Sequence, residues 1–184
     1  MEVFMGKGII MCGLNGVGKS TLGRALAEKL NARFIDNEDL YFPKTDASYT
    51  YASPRTRDEV EKLLLQEIRK CGDFVFASVK GDYGEEVCSR FDHIVLVSTP
   101  RETRLERVRN RSFQKFGDKM LPGGPLYERE ELFFEVVRAR DEMTVETWIR
   151  TMDCPVIRVD GTRPVEDNIR SILEELSNER VSDT

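Results

Sequence analysis

The chain has 184 residues, of which 40% are hydrophobic and 33% charged, which predicts a globular protein with a core of its own. No run approaches the roughly 18 apolar residues of a membrane helix, and MEVFMGKGIIMCGL is typical of a buried strand rather than a signal peptide. The formal net charge of −5 argues against non-specific binding to nucleic acid. We therefore expect a cytoplasmic monomer or homodimer with neither a nucleic-acid nor a membrane partner.

Cysteine and histidine offer little chemistry in this chain. The four cysteines lack CxxC or metal-ligand spacing and lie in or beside apolar segments, so we expect buried, reduced thiols at Cys12, Cys71, Cys88 and Cys154. The single histidine, His93, begins an apolar strand, and catalysis built on histidine is therefore not expected.

Strand and helix patterns alternate along the chain. Apolar runs predict five strands: GIIMCG (8–13), ARFID (32–36), DFVFASV (73–79), HIVLVST (93–99) and CPVIRV (154–159). Helical periodicity predicts five helices: Lys19 to about Leu30, Thr56 to Cys71, one from Arg101, Glu128 to about Met152, and one from Pro164. This alternation predicts an α/β fold in a single domain over residues 1–184, with a parallel five-stranded sheet and helices on both faces.

Residues 112–127, SFQKFGDKMLPGGPLY, interrupt this pattern with three glycines and two prolines. Because loops of that length in compact domains are often functional, we expect a mobile lid over approximately residues 112–126. An ordinary surface excursion is the alternative. The helix that follows carries an apolar and aromatic stripe that we expect in the core, comprising Leu132, Phe133, Phe134, Val137 and Trp148.

The strongest motif lies between the first strand and the first helix. GLNGVGKST, residues 13–21, satisfies G-x-x-x-x-G-K-[ST]. In this motif backbone N–H groups and the helix N-terminus surround a phosphate, the lysine bridges the β- and γ-phosphates, and the serine hydroxyl ligates Mg²⁺. We therefore predict that ATP and Mg²⁺ are bound by Gly13, Leu14, Asn15, Gly16, Val17, Gly18, Lys19, Ser20 and Thr21.

FIDNEDLYF, residues 34–42, places three acids at the end of the second strand. Ligands bind at that edge of open α/β sheets, so Asp36 is predicted to accept the proton of a reacting hydroxyl or to help hold Mg²⁺. A helix-capping or solvated acid is the alternative. Asp39 is expected to be a bystander, and Leu40, Tyr41 and Phe42 to be pocket wall or core.

These motifs and the order of elements resemble the small P-loop kinases, which include shikimate kinase, gluconate kinase, and adenylate kinase with other nucleoside monophosphate kinases. The resemblance covers nearly the whole chain and implies a P-loop NTPase three-layer fold with a lid. The length leaves no room for the extra strands and domains of motor or AAA-type ATPases.

Shikimate-kinase-like proteins end the second strand in a D-x-D motif, and Asp36-Asn37-Glu38 looks similar with a longer second acid. This likeness implies that Glu38 contacts the acceptor. Their glycine-rich acceptor turn corresponds to SVKGDYGEE, residues 78–86, which lacks the triple glycine. The correspondence still implies that the acceptor site is lined by Lys80, Gly81 and Asp82.

Arginines are concentrated where these kinases bind anions. Arg104, Arg107 and Arg111 share one helical face that leads into the lid. Its likeness to nucleoside monophosphate kinases implies that Arg107 and Arg111 stabilise charge on the transferred phosphoryl group, because guanidinium is permanently charged and forked. A solvated basic face is the alternative.

Further substrate contacts are implied by position. Arg138 and Arg140 resemble post-lid arginines, and Arg55, with its neighbour Arg57, opens the helix that closes over the acceptor in this group. VDG followed by a proline-started helix resembles the adenine-side loop of adenylate kinases, which implies that Gly161 and Thr162 bind ATP. Solvated helix-start residues and an ordinary turn are the alternatives.

Together these features predict an ATP-dependent phosphotransferase that moves the γ-phosphoryl group of Mg-ATP to a small-molecule acceptor, a hydroxyl compound. Two alternatives remain open. One is a nucleoside or nucleoside monophosphate kinase, and the other is a nucleotide-dependent ATPase switch that acts on a protein partner.

Overall fold

The computed structural model describes residues 7–182. Five strands form one sheet in the order β2-β3-β1-β4-β5, and every neighbouring pair is parallel. The strands are β1 Gly8–Cys12, β2 Arg33–Asp36, β3 Phe74–Ala77, β4 His93–Ser98 and β5 Val156–Asp160. The predicted five-stranded parallel sheet is confirmed.

Helices connect successive strands, as parallel pairing requires. They are α1 Lys19–Leu30, α2 Asn37–Tyr41, α3 Arg57–Lys70, α4 Glu85–Cys88, α5 Arg101–Phe116, α6 Tyr127–Ala139, α7 Thr144–Ile149 and α8 Val165–Ser182, with a 3-10 turn over Gly117–Met120. The short helices α2 and α4 were not predicted, because five or four residues are too few to show a helical period.

Two apolar cores lie on opposite faces of the sheet. Alternate residues of β1 enter different cores, since side chains on a strand point to opposite faces: Ile10 packs with α3 and α7, and Ile9 packs with α1 and α8. The sheet is therefore the middle layer of three, and its loop edges are free to form a site.

The first residues of the predicted lid are helical. Helix α5 runs through residues 112–116, and Ser112 on its inner side is buried. Met120 in the 3-10 turn packs with Val108 of α5 and Phe134 of α6. Residues 112–116 therefore belong to α5 rather than to an irregular loop, and the lid over approximately residues 112–126 stays a prediction.

The predicted helix from Glu128 to Met152 is two helices, α6 and α7. Arg140 has an extended backbone, and the Asp141 side chain accepts the N–H of Met143 at 2.9 Å. Such a local bond competes with helical pairing and turns the chain here. The predicted core stripe divides too, since Phe134 is buried and Leu132 is exposed.

The cysteines depart from expectation in their burial. All four are free, but only Cys12 is buried, and Cys71, Cys88 and Cys154 are half-buried. Among residues 7–182 no helix has both the length and the apolar character that spanning a bilayer requires.

Candidate active site

A cavity of about 660 Å³ opens at the carboxyl ends of β1, β2 and β3. One end is formed by the loop between β1 and α1, and we call it the phosphate end. The other lies between α2, the irregular segment 42–56, the segment after β3 and the middle of α6, and we call it the acceptor end.

The loop at the phosphate end has a shape that only glycine permits. Gly13 and Gly16 have φ of 144° and 85°, and a Cβ at either would lie 2.4 Å from a backbone oxygen, of Val97 or Arg104 respectively. Gly18 precedes α1 with φ of 102°. This geometry turns backbone N–H groups inward at the start of a helix, where anions bind.

Not every residue of the predicted phosphate loop reaches the cavity. Those that line it are Asn15, Gly16, Lys19 and Ser20. Leu14 and Val17 are buried in the core, and Thr21 is exposed on α1. The apolar pair anchors the loop and leaves its polar residues to face the ligand.

Lys19 is the cation at the centre of this end. Its ammonium group donates to the Leu14 carbonyl at 3.0 Å. Burial, and then repulsion from Arg111, lower the pKa of Lys19 to about 8. A cation that is buried and repelled in this way favours the arrival of an anion.

Asp36 is the last residue of β2 and lines the same cavity. Its Oδ1 accepts the N–H of Glu38 at 3.0 Å and so caps α2, while Oδ2 lies 3.8 Å from Arg24. The capping alternative is therefore present in the structure, but it uses one oxygen of the carboxylate. The other oxygen can serve the reaction.

Ser20 and Asp36 fit a Mg²⁺ site in the chemistry of their donor atoms. Both offer oxygen to the one cavity, and both lie near the predicted phosphates. Mg²⁺ prefers such a sparse protein set, with one or two side-chain oxygens completed by waters and substrate phosphates.

The three arginines on α5 have different neighbours. Arg104 is buried, donates to the Asn15 carbonyl at 3.3 Å and pairs with Glu142. Arg107 donates to the carbonyls of Gly161 at 3.1 Å and Gly16 at 3.4 Å. Only Arg111 lines the cavity, so the solvated alternative does not describe Arg104, and the catalytic role of Arg107 stays a prediction.

The two arginines predicted to follow the lid also differ in their position relative to the cavity. Arg140 lines the cavity, and burial lowers its pKa. Arg138 is exposed, outside the cavity lining, and its carbonyl accepts from Arg101 at 2.6 Å. Taken as a whole residue, Arg140 is exposed as well, but it follows the end of α6 and, unlike Arg138, lines the cavity.

The loop after β5 lies against the phosphate loop. A Cβ at Gly161 would lie 2.3 Å from the Val17 carbonyl oxygen. This close approach is by itself enough to require a glycine. Asp160 accepts the N–H and hydroxyl of Thr162 at 2.8 and 2.7 Å. Thr162 itself is exposed, and contact of either residue with ATP stays a prediction.

Ion pairs occupy the acceptor end. Glu38 accepts from the Tyr51 hydroxyl at 3.0 Å and from Lys115 at 3.2 Å. Lys80 and Arg57 both pair with Asp82 Oδ2, at 2.9 and 3.5 Å. The predicted residues Glu38, Lys80 and Asp82 therefore do line one cavity, but each already has a partner of opposite charge.

Two predicted acceptor residues lie elsewhere. Arg55 donates to the Leu40 carbonyl at 2.7 Å and is not part of the lining, whereas Arg57 is. Gly81 is buried, and a Cβ there would lie 2.7 Å from Ile10 and from Phe91. Gly81 therefore packs on the core and lets the acceptor turn lie against it.

An aromatic lining was largely missed. Six aromatic side chains line the cavity, and we call them the aromatic wall: Tyr41, Phe42, Tyr49, Tyr51, Tyr83 and Phe133. Tyr41 and Phe42 were expected as pocket wall or core, whereas Phe133 was assigned to the core. The density of aromatic residues in YFPKTDASYTY, residues 41–51, was the available signal.

Buried polar groups hold this wall in place. The Tyr49 hydroxyl donates to Glu130 Oε1 at 2.8 Å, and Glu130 is fully buried in α6. The Tyr83 hydroxyl donates to Asn37 at 2.7 Å. Burial raises the pKa of Tyr51 above its usual range, so this hydroxyl stays a donor at neutral pH.

The chain has relatives over nearly its full length. It is 29% identical over 182 residues to "Uncharacterized protein YqaC" of Bacillus subtilis (strain 168), a match that covers 95% of this chain and 99% of that protein. That relative carries no activity in its name, so it does not extend the chemistry inferred from the site.

Solved structures share the fold at low identity. A gluconokinase from Sinorhizobium meliloti 1021 is 19% identical, with a TM-score of 0.57, over 95% of this chain and 93% of that chain. A deoxyadenosine kinase from M. mycoides with bound dCTP is 18% identical, with a TM-score of 0.55, over 93% and 99%. The resemblance to small P-loop kinases is thereby confirmed for the fold.

A family model described as "AAA domain" matches residues 9–119, which hold the phosphate loop, β1 to β4 and the acceptor turn. The exclusion of AAA-type ATPases by length was therefore too broad as a statement about family. The matched part carries the nucleotide-binding geometry described above, in a fold that solved kinases share. The chain belongs to the AAA domain family.

Proposed function

We propose that this protein is an ATP-dependent phosphotransferase, which moves the γ-phosphoryl group of Mg-ATP to a hydroxyl group of a small molecule. One observation carries the proposal. Lys19, Asp36 and Arg111 line a single cavity with residues of the phosphate loop, and that cavity continues into the acceptor end. A cavity volume of about 660 Å³ is within the range of small-molecule sites.

The phosphate end supplies positive potential and orientation. The N-terminus of α1 and the backbone N–H groups of the loop face the β- and γ-phosphates, and Lys19 exchanges its bond to the Leu14 carbonyl for phosphate oxygens. Arg111 and Arg140 add charge where the transferred group passes, a position in which guanidinium stabilises the transition state. Mg²⁺ bound near Ser20 and Asp36 would neutralise phosphate charge.

Asp36 stands between the two ends, and its role is that of a general base. A bond forms between the acceptor oxygen and the γ-phosphorus, and the bond to the β–γ bridging oxygen breaks, so ADP leaves. The acceptor proton passes to Asp36, whose Oδ1 remains held by the Glu38 N–H. That hydrogen bond fixes the orientation of the carboxylate, so it supports the proton transfer in addition to capping α2.

The acceptor end favours transfer to a bound molecule over transfer to water. On one side of it, Tyr51 of the segment 42–56 and Lys115 of α5 both donate to Glu38 of α2. Closure of this largely aromatic chamber around a bound acceptor would exclude water, which otherwise competes as acceptor of the γ-phosphoryl group.

The test is release of ADP from Mg-ATP, measured with purified protein in the presence of nucleosides, nucleoside monophosphates, sugars, polyols and hydroxy acids in turn. We expect slow release without acceptor and a strong increase with one class of compound. A fast rate that no compound changes would contradict the proposal and favour the ATPase switch. The cytoplasmic location and the monomer or homodimer remain predictions that this assay does not address.

A further inference from the structure

The acceptor end has a composition unlike that of a site for a small charged acid. The aromatic wall brings rings from four parts of the chain: α2 and the residue after it, the segment 42–56, the segment after β3, and α6. Phe42 and Tyr51 meet edge to face with centroids 4.9 Å apart, and Tyr49 and Tyr51 do so at 5.6 Å. Phe42 and Phe133 are the two rings of this wall without a polar group.

Flat apolar rings are suited to a flat ligand. Stacking of a base on an aromatic side chain is favourable and tolerates any base, because every base has a π-face. A sugar acid or a polyol gains little from such a wall, since its hydroxyl groups need hydrogen-bond partners. The wall therefore favours an acceptor that carries an aromatic ring.

Each cation named at this end already has a carboxylate of the protein as its partner, with three cations sharing two carboxylates. Lys80 and Arg57 share one oxygen of Asp82, and Lys115 pairs with Glu38. An acceptor carboxylate or phosphate placed beside these cations would also lie beside Asp82 or Glu38 and be repelled. The expected anion site at Arg55 is absent from the lining, since that side chain is bound to the Leu40 carbonyl.

From these observations we infer that the acceptor is an uncharged compound with a flat aromatic ring and a hydroxyl group, the class to which nucleosides belong. The ring lies against Phe42 and Phe133, and the hydroxyl points toward Asp36. This inference rests on the proposed function, because the hydroxyl is taken to receive the γ-phosphoryl group of ATP, lose its proton to Asp36 and release ADP.

The first experiment compares acceptor classes. ADP release from Mg-ATP is measured with adenosine, cytidine, thymidine and pyridoxine as uncharged aromatic hydroxyl compounds, and with gluconate, shikimate and nucleoside monophosphates as anions. We expect at least one uncharged aromatic compound to have a kcat/KM about tenfold or more above every anion, the factor that one stacked ring provides. A preference for any of the anions would overturn the inference.

Calorimetry separates failure of the inference from failure of the proposed function. The same compounds are titrated into protein saturated with a non-hydrolysable ATP analogue and Mg²⁺. If no compound is phosphorylated but an uncharged aromatic one binds in preference to the anions, the ligand class is right and the phosphotransferase proposal is wrong. If none of the aromatic compounds binds, the inference itself is overturned.

The second experiment removes one ring of the wall. Phe42→Leu and, separately, Phe133→Leu keep apolar bulk but lose the flat face, whereas Phe113→Leu changes an exposed ring on α5 and is the matched control. We expect the KM for the aromatic acceptor, or its calorimetric Kd, to rise about tenfold in both wall variants. The KM for ATP and kcat should hold within about twofold.

A purely structural role for these rings would instead lower Tm and impair ATP and acceptor alike. An unchanged acceptor KM in two folded wall variants would contradict the inference.

The third experiment removes the carboxylate that pairs with two cations of the acceptor end. Asp82→Asn frees Lys80 and Arg57 inside the cavity, whereas Glu86→Gln frees Arg69 outside it as the matched control. We expect Asp82→Asn alone to improve the use or binding of nucleoside monophosphates and hydroxy acids, by about threefold to tenfold. Equal use of anions by the wild type and Asp82→Asn would contradict the charge argument.

Discussion

The two ends of the cavity are built in opposite ways. The phosphate end comes from one loop, residues 13–21, and two arginines. Burial and repulsion from Arg111 lower the pKa of its lysine, Lys19, which favours binding of an anion there. The acceptor end is assembled from segments far apart in the chain, and its cations Arg57, Lys80 and Lys115 are already paired with the carboxylates of Asp82 and Glu38. The difference indicates that one end is shaped to hold a constant anionic group and the other to select a particular, less charged partner.

The largest expected effect comes from removing the lysine of the phosphate end. Lys19→Ala should lower phosphoryl transfer by about 10³-fold, since a preorganised charge on the transferred group is lost. Lys29→Ala, an exposed lysine in the last turn of α1, is the control and should leave the rate unchanged. The measurement is ADP release under saturating acceptor. Retained activity in Lys19→Ala would remove the phosphate loop from the mechanism.

The next largest effect comes from a substitution of Asp36, which lies between the two ends. It should lower the rate of the chemical step without weakening ATP binding. Asp36→Asn keeps an oxygen to cap α2, because asparagine is as good a cap as aspartate, but it cannot take a proton. We expect kcat to fall about 10²-fold with little change in the Kd for ATP. Asp39→Asn, which only releases exposed Lys44, is the control. Full turnover in Asp36→Asn would show that another group accepts the proton.

A smaller effect tests the packing behind the phosphate end. Gly161→Ala places a methyl group 2.3 Å from the Val17 carbonyl oxygen, so the phosphate loop must shift. We expect about tenfold weaker ATP binding by calorimetry, the cost typical of overpacking. Gly72→Ala is the control, because a Cβ there meets nothing within 4 Å. Unchanged affinity in Gly161→Ala would mean that the loop yields without cost.

The smallest effect concerns stability at the acceptor end. Tyr49→Phe keeps the ring but leaves the buried Glu130 without the hydroxyl that donates to it. We expect a loss of about 2 kcal/mol in the free energy of unfolding, or about 6 °C in Tm, with ATP affinity unchanged. Tyr127→Phe, on the helix α6 that carries Glu130, is the control for hydroxyl removal. An unchanged Tm would show that Glu130 is stabilised by another group.

The same contrast explains what could be predicted from sequence. The five strands and the phosphate loop were predictable because periodicity and a contiguous motif describe them locally. Both Arg55 and Arg57 were candidates at the start of α3, but which of the two lines the cavity depends on side-chain direction and was not predictable. Thr56 caps that helix, so Arg57 belongs to its first turn while Arg55 stays outside it and turns back to α2.

The aromatic wall escaped prediction for a related reason. Residues 42–56 have no regular secondary structure, so no period indicates which of their side chains face inward. Phe133 was assigned to the core with its neighbour Phe134, and it does pack against the same cluster, but it is only partly buried and also lines the cavity. Ion pairs such as Lys80 with Asp82 likewise depend on side-chain directions that spacing alone does not determine.

The central claim, transfer to a bound hydroxyl compound, is tested most directly by identifying the phosphorus product. The protein is incubated with Mg-ATP and the compound that most stimulates ADP release, and ³¹P NMR follows the γ-phosphorus. The account predicts a phosphate ester of the acceptor formed in equal amount to ADP, and its absence in Asp36→Asn on the same time scale. Inorganic phosphate as the only phosphorus product formed with ADP, with no ester of the compound, would contradict it.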